Sequence, residues 1–297
     1  MQNILVPLDG SALAERGLTV AEALVQRTGG QLILVRAVPL LSRPEGDAPF
    51  PTLAAARAAA VAEAWDYLKS RISQLEGRGI SASAAVSDEY EELGIVAVAH
   101  QSNADLIVMA THGRSGLGRW VYGSVAEQVL TAAPVPILLV RAWQHGADGT
   151  AFVAGTPILV PLDGSMVAEA ALTTAEQFAT ALGGTLLLVR AIPRPGTIFE
   201  PLRPTELAQN EEIAHEYLTT VAARYADREL NVSTEIRIGS PEVVIEEVGR
   251  ERGVGMIVMS THGFTWLRRI ALGSVANNVV RQGSLPVVLV RPTTLGD

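Results

Sequence analysis

Residues 4–39 read ILVPLDGSALAERGLTVAEALVQRTGGQLILVRAVP, and residues 158–193 read ILVPLDGSMVAEAALTTAEQFATALGGTLLLVRAIP; 22 of 36 positions agree without a gap. The chain is one unit written twice, which settles its organisation before any single motif is weighed. The ends of the halves agree as well: DLIVMATHG, YGSVAEQVL and VPILLVR in 105–141 parallel GMIVMSTHG, LGSVANNVV and LPVVLVR in 255–291. The spacing between copies shifts from 154 to 150 residues, so the middle has absorbed small insertions and deletions. Between the copies, the Gly-rich stretch 143–156 has no sustained apolar period and reads as a linker, giving domains 1–142 and 157–297.

Within the first copy, short β-branched and leucine runs alternate with segments of helical period. ILVPL is a strand, 12–28 a helix with Ser11 as N-cap, QLILVRA a strand and 53–76 an alanine-rich helix. SASAAV is a weak strand, 91–102 a helix, DLIVMA a strand, 124–132 a helix and PILLVR the last strand. Strands such as LIVM are apolar on both faces, and parallel neighbours need right-handed crossovers. The expected fold is therefore α/β, a doubly wound open five-stranded parallel sheet in each half. Ligands on such sheets bind beyond the carboxyl ends of the strands, where the winding reverses.

The composition narrows the chemistry. The 297 residues carry a net charge of −8, about −4 in each half, with pI near 5.2, and neither half has a basic tail or helix. Nucleic acid and anionic membrane are poor partners for such a surface. Mean hydropathy is +0.26, yet no uncharged apolar run reaches the ~18 residues of a membrane span. MQNILVPLDGS enters a strand without the basic and long apolar regions of a secretory signal, so a cytoplasmic protein is expected. Absence of cysteine removes thiolate nucleophiles and thiolate metal sites. Lysine chemistry rests on Lys69 alone, in an ordinary amphipathic stretch. HExxH, Gx4GK[ST] and GxSxG are all missing.

Two strand ends carry the polar residues. Asp9-Gly10-Ser11 and Asp163-Gly164-Ser165 follow the first strands. An ionised aspartate is acceptor-only and suits the hydroxyls or amine of a nucleoside; the same tripeptide is also a turn into a helix, with Gly turning and Ser capping. After the fourth strands come Ala110-Thr111-His112-Gly113 and Ser260-Thr261-His262-Gly263, then nine residues, then Gly123-Ser124 and Gly273-Ser274 at helix starts. Free N–H groups at such a start form an anion site, to which Arg119 and Arg269, and Arg114 in the first half, add guanidinium groups. Alternatively Ser124 caps its own helix, with Glu127 closing a capping box that Asn277 breaks in the second half. His112 and His262 lack an adjacent acid or metal-ligand spacing and read as loop-bonding histidines. Trp120, Trp266, Tyr122 and Leu272 read as packing or interface residues, and Trp65 and Tyr67 as ordinary helix aromatics.

ILVPLDGS at a strand end, IVM-x-T-H-G after the fourth strand, and Gly-Ser ten residues further on resemble the universal stress protein domain, present here as two tandem copies over nearly the whole chain. The resemblance implies strand order 3-2-1-4-5 and an adenine nucleotide alpha hydrolase-like fold. It also implies pairing of two domains through their last strands, 136–141 and 286–291, within one chain or in a homodimer. The nucleotide-binding members are similar in carrying Gly-x-x-Gly, nine residues, then Gly-Ser or Gly-Thr; here Ala110 and Ser260 replace the first glycine. The implied ligand is ATP or a related adenine nucleotide, with or without Mg²⁺. By the same resemblance Asp9 and Asp163 meet the adenosine part, Ala37 and Ala191 lie beside the base, Ala110 and Ser260 lie against the sugar, and Met109 and Met259 are among the binding residues. Gly113, Arg119, Gly123, Ser124, Gly263, Arg269, Gly273 and Ser274 would hold phosphates. The proline-containing loops 40–51 and 194–204 stand where lids would close.

Three functions compete at this point: a nucleotide-binding stress sensor or regulator without efficient turnover, a slow ATP-hydrolysing enzyme of the same fold, and an interaction module that has lost its ligand. Ligases and pyrophosphatases on similar sheets carry an S-G-G-x-[DE]-S loop, which PLDGS is not. No catalytic residue or metal ligand is assigned.

Overall fold

A computed structural model describes residues 1–38, 50–111, 123–141, 154–193, 204–262 and 272–292, which fall into two compact units dividing within 143–150. The expected linker 143–156 lies outside the described residues except at 154–156, and the expected lids lie outside them apart from the residues that open two helices.

In the first unit the strands are β1 (Asn3–Pro7), β2 (Gln31–Ala37), β3 (Ala82–Ser87), β4 (Leu106–Thr111) and β5 (Ile137–Arg141). The helices are α1 (Ala12–Thr28), α2 (Phe50–Glu76), α3 (Glu91–Gln101) and α4 (Ser124–Ala132). All neighbours pair in parallel in the order β3-β2-β1-β4-β5. In register, Ile4 stands beside Leu32 on one side and Leu106 on the other. The reversal therefore lies between β1 and β4.

The second unit repeats this. Its strands are β6 (Pro157–Pro161), β7 (Thr185–Ile192), β8 (Val232–Ile238), β9 (Met256–Ser260) and β10 (Val287–Val290). Its helices are α5 (Met166–Glu169), α6 (Ala171–Leu182), α7 (Pro204–Ala223), α8 (Pro241–Glu251) and α9 (Ser274–Gln282). The parallel order is β8-β7-β6-β9-β10, with the reversal between β6 and β9.

The core follows from the strand sequences. Ile4, Leu5 and Val6, with Leu106, Ile107 and Val108, are fully buried on both faces, as are Leu159, Val160, Ile257 and Val258. β3 and β8, beside only one described neighbour, are the least buried strands, which is why SASAAV lacks the apolar density of LIVM.

Glycine fixes how helix returns to strand. Gly29 (φ +72°) and Gly183 (φ +61°) close α1 and α6 in the left-handed region. At the next residues, Gly30 and Gly184, a Cβ would lie 2.6 and 2.5 Å from the carbonyl oxygens of Gln2 and Thr156, so the repeated Gly-Gly is a demand of close chain approach. Where the first unit has the single helix α1, the second has α5 and α6, divided at Ala170. Next to it stands Ala171, where the first half has Gly17. A Cβ at Gly17 would come within 3.3 Å of the Ala110 amide nitrogen, so an alanine there would push helix and strand apart by a few tenths of an ångström. Among the described residues no helix is long and apolar enough to cross a membrane.

Candidate functional site

Each unit has a cavity at the reversal point. The first, about 310 Å³, is bounded by the ends of β1, β2 and β4 and by the starts of α1, α3 and α4. It brings together Asp9, Ala37, Met109, Ala110, Gly123 and Ser124, six residues spread over 116 positions of sequence. The second, about 230 Å³, gathers Asp163, Ala191, Met259, Ser260, Gly273 and Ser274 from the equivalent elements. Gly113, Arg114, Arg119, His112, Gly263 and Arg269 lie outside the described residues, as do Trp120, Tyr122 and Trp266. Leu272 is buried and His262 lines the second cavity.

The Asp-Gly-Ser tripeptides are turns that also border the cavities. Asp9 Oδ1 accepts the Ser11 amide at 2.8 Å, Gly10 has φ +87°, and Ser11 Oγ accepts the Ala14 amide at 3.1 Å as the cap of α1. In the second half Asp163 Oδ1 accepts the Ser165 amide at 2.9 Å and its hydroxyl at 2.6 Å, while Ser165 caps α5. Turn geometry accounts for the glycine and the serine. Both carboxylates are exposed and line their cavities.

The helix starts correct one expectation. Ser124 does not cap α4; the N-cap is Gly123, which supplies no side-chain hydrogen bond, and the Glu127 amide donates to the Gly123 carbonyl at 3.1 Å. The S-x-x-E match is shifted by one residue from a capping box. Ser124 is the first helical residue and its side chain is exposed. α9 starts in the same way on Gly273, whose amide donates to the Thr261 carbonyl at 2.7 Å. Because a glycine cap carries no side-chain acceptor, it sets no side chain of its own over the leading N–H groups at the positive helix end, which border the cavity.

The fourth strands agree with the DLIVMA reading, which ended on Ala110. β4 runs through Ala110 to Thr111, and β9 includes Ser260, so both departures from glycine belong to strands instead of to the following loops. Their Cβ atoms border the cavities without closing them. Ser260 is buried and its hydroxyl accepts the His262 amide at 3.4 Å, while the His262 ring meets the Thr261 hydroxyl at 3.0 Å.

Sequence reasoning missed two sets of residues. Glu91 and Ile95 of α3, and Pro241 and Ile245 of α8, complete the cavity walls. Their signal was the i, i+4 spacing at a helix start, which becomes informative only once the strand order carries that helix across the reversal point. The second set is Arg36 and Arg190, charged residues inside the strand repeat LVRA. Each guanidinium lies beneath a turn glycine, at 3.8 Å from a Cβ placed on Gly10 and 3.2 Å from one on Gly164. Each also covers a tyrosine ring, Tyr67 at 5.1 Å and Tyr217 at 5.0 Å. The Tyr67 hydroxyl donates to Glu15, and that of Tyr217 to Glu169 at 3.0 Å. Burial first, then the Glu15 carboxylate, pushes the Tyr67 phenol up to about 12; burial and Glu169 raise that of Tyr217 as well.

The model of the universal stress protein family matches residues 1–141 and again 156–291. The chain belongs to the universal stress protein family. This universal stress protein is 27% identical over 190 residues to one from Mycolicibacterium smegmatis, a match covering 64% of this chain and 63% of the relative. The chain thus spans under two thirds of the length of the mycobacterial relatives it matches. A universal stress protein of Methanocaldococcus jannaschii is 30% identical over 151 residues, 45% of this chain and 93% of the relative. Among solved structures, a universal stress protein from Archaeoglobus fulgidus superposes with TM-score 0.71 over 97% of this chain and 98% of its own, at 20% identity, and so shows a shared fold.

Proposed function

We propose that each half of this universal stress protein binds one adenine nucleotide, ATP or a close relative, with or without Mg²⁺, and that the chain acts as a nucleotide-responsive regulator of the stress response without efficient turnover. The observation that carries this reading is the same three-part cavity in both units: an apolar wall, an acceptor carboxylate and a glycine-capped helix start. Val35, Ala37 and Ile95, or Val189, Ala191 and Ile245, offer a flat aromatic base an apolar wall. Asp9 and Asp163 accept from ribose hydroxyls, and the starts of α4 and α9, with Gly113, Arg119, Gly263 and Arg269, receive phosphates.

Calorimetry on the full chain tests the proposal. ATP is expected to bind at one equivalent per half, and no binding at about millimolar ligand overturns it. Gly123→Ala locates the phosphates. Gly123 has an ordinary φ of −53° and a Cβ there meets nothing within 4 Å, so the variant folds as the parent does. Its methyl group stands where phosphate approaches the helix start, and one of the two equivalents is expected to weaken by about tenfold. Two unchanged affinities would move the phosphates elsewhere.

A further inference from the structure

The two cavities share a shape but differ in charge. α3 starts within Asp88-Glu89-Tyr90-Glu91-Glu92, whereas the equivalent stretch before and into α8 is Ile238-Gly239-Ser240-Pro241-Glu242. Glu91 lines the first cavity; Pro241 takes its place in the second. One residue beyond the opposite wall, which ends at Ala126 and Ala276, the first turn of α4 carries Glu127 where α9 has Asn277. Arg57 pairs with Asp88, which leaves Glu89, Glu91 and Glu127 as carboxylates with no counterpart in the second half. Arg16 of α1, where the second half has Ala170, offsets at most one of these three charges. Each loop between the fourth strand and the following helix contains two arginines, Arg114 and Arg119 or Arg268 and Arg269, and Arg36 and Arg190 occupy equal positions under the turns.

Resting on the proposed nucleotide sites, we infer that the halves are graded by ligand charge: both accept adenine nucleotides, but the second holds a triphosphate more tightly than the first, and the preference fades for a monophosphate or a nucleoside. The reason is Coulombic. Extra carboxylates at a cavity mouth oppose each added phosphate charge, and the opposition extends over about a Debye length, 10 Å at 0.1 M salt. A neutral nucleoside does not feel it. The difference between the sites therefore grows from adenosine to AMP to ATP and shrinks as salt rises.

The test is calorimetry on the full chain with adenosine, AMP and ATP at about 20 mM and about 300 mM salt. Expected are two ATP affinities about tenfold apart at low salt and two adenosine affinities within about twofold. The double variant Glu91→Gln, Glu127→Gln raises the weaker ATP affinity and leaves the stronger one in place. The reverse pair, Pro241→Glu with Asn277→Glu, lowers the stronger one. All four positions are at least partly exposed at helix starts, so the fold is retained. Equal ATP affinities at low salt, a gap as large for adenosine as for ATP, or a gap unmoved by either pair overturns the inference alone. Failure of every ligand to bind overturns the nucleotide reading beneath it.

Discussion

At the scale of the residue, Asp9 serves two demands, and a substitution can separate them. One carboxylate oxygen accepts the Ser11 amide and shapes the turn that positions the cap of α1. The charge itself is required only by a ligand, since a neutral amide oxygen accepts the same N–H. Asp9→Asn is therefore expected to keep the melting temperature of the parent and to weaken nucleotide binding at the first site by about tenfold, because hydrogen bonds to charged groups contribute about 1.5–3 kcal/mol. Asp9→Ala loses both roles and lowers stability too. Equal nucleotide affinity in parent and Asp9→Asn would reduce the aspartate to a turn residue. Tyr67 supports the same corner from beneath, and its phenol, held neutral by burial and by its bond to Glu15, titrates at about 12. A folded-state value above the unfolded value of about 10 means that its stabilisation is complete below pH 10 and is lost as pH climbs from about 10 through about 12. Tyr67→Phe is expected to lower stability near pH 8 by about 1 kcal/mol and to flatten part of the alkaline decline. Urea melts at pH 8, 10 and 11 check both effects, and an unchanged alkaline slope would show that the phenol is not the group responsible.

At the scale of the element, sequence is legible where a residue punctuates the chain. α1 begins after Ser11 and ends at Gly29, and β2 begins two residues later, so α1, β2 and α4 run over 12–28, 31–37 and 124–132 as their periods predict. Polar side chains at strand ends were legible for a related reason: an apolar strand followed by Asp-Gly-Ser leaves the aspartate at the sheet edge, and both copies place it in a cavity wall. What escaped reading has physical causes. The start of α4 was legible but its cap was not: glycine caps a helix without a side chain, so Ser124, three residues before Glu127, read as an alternative cap that the structure does not use. Glu91 and Ile95 sit on EELGIVAVAH, apolar nearly all round, and nothing local tells which face meets a neighbour. The ion pairs that tie α1 to the turn after α2, and α6 to the turn after α7, were hidden because their partners are some 50 residues apart: Glu22 with Arg78, and Glu176 with Arg228. Burial raises the Glu22 carboxyl even though Arg78 draws it down, which marks that pair as the better shielded of the two.

At the scale of the whole molecule, duplication makes each half answerable by itself. Among the described residues, the walls of the first site come from 7–126, and the buried strands that support it, from Ile4 to Val140, lie within the first unit. The second site is enclosed within 161–276 in the same way. About 140 residues bury enough apolar surface for one cooperative domain, roughly two thirds of what the unfolded chain exposes. Residues 1–142 produced alone are accordingly expected to unfold in one cooperative step in urea. They should bind one equivalent of adenosine with the affinity shown by the first half of the full chain, and adenosine is the right probe because its binding is the least sensitive to charge. A half that unfolds cooperatively yet has lost adenosine, while the full chain binds it, would show that the cavity walls seen within one unit are insufficient and that the second unit completes the site. A half that unfolds without cooperativity would instead show that duplication supplies stability. Retention of both properties would make the tandem arrangement a matter of coupling two competent sites of different charge.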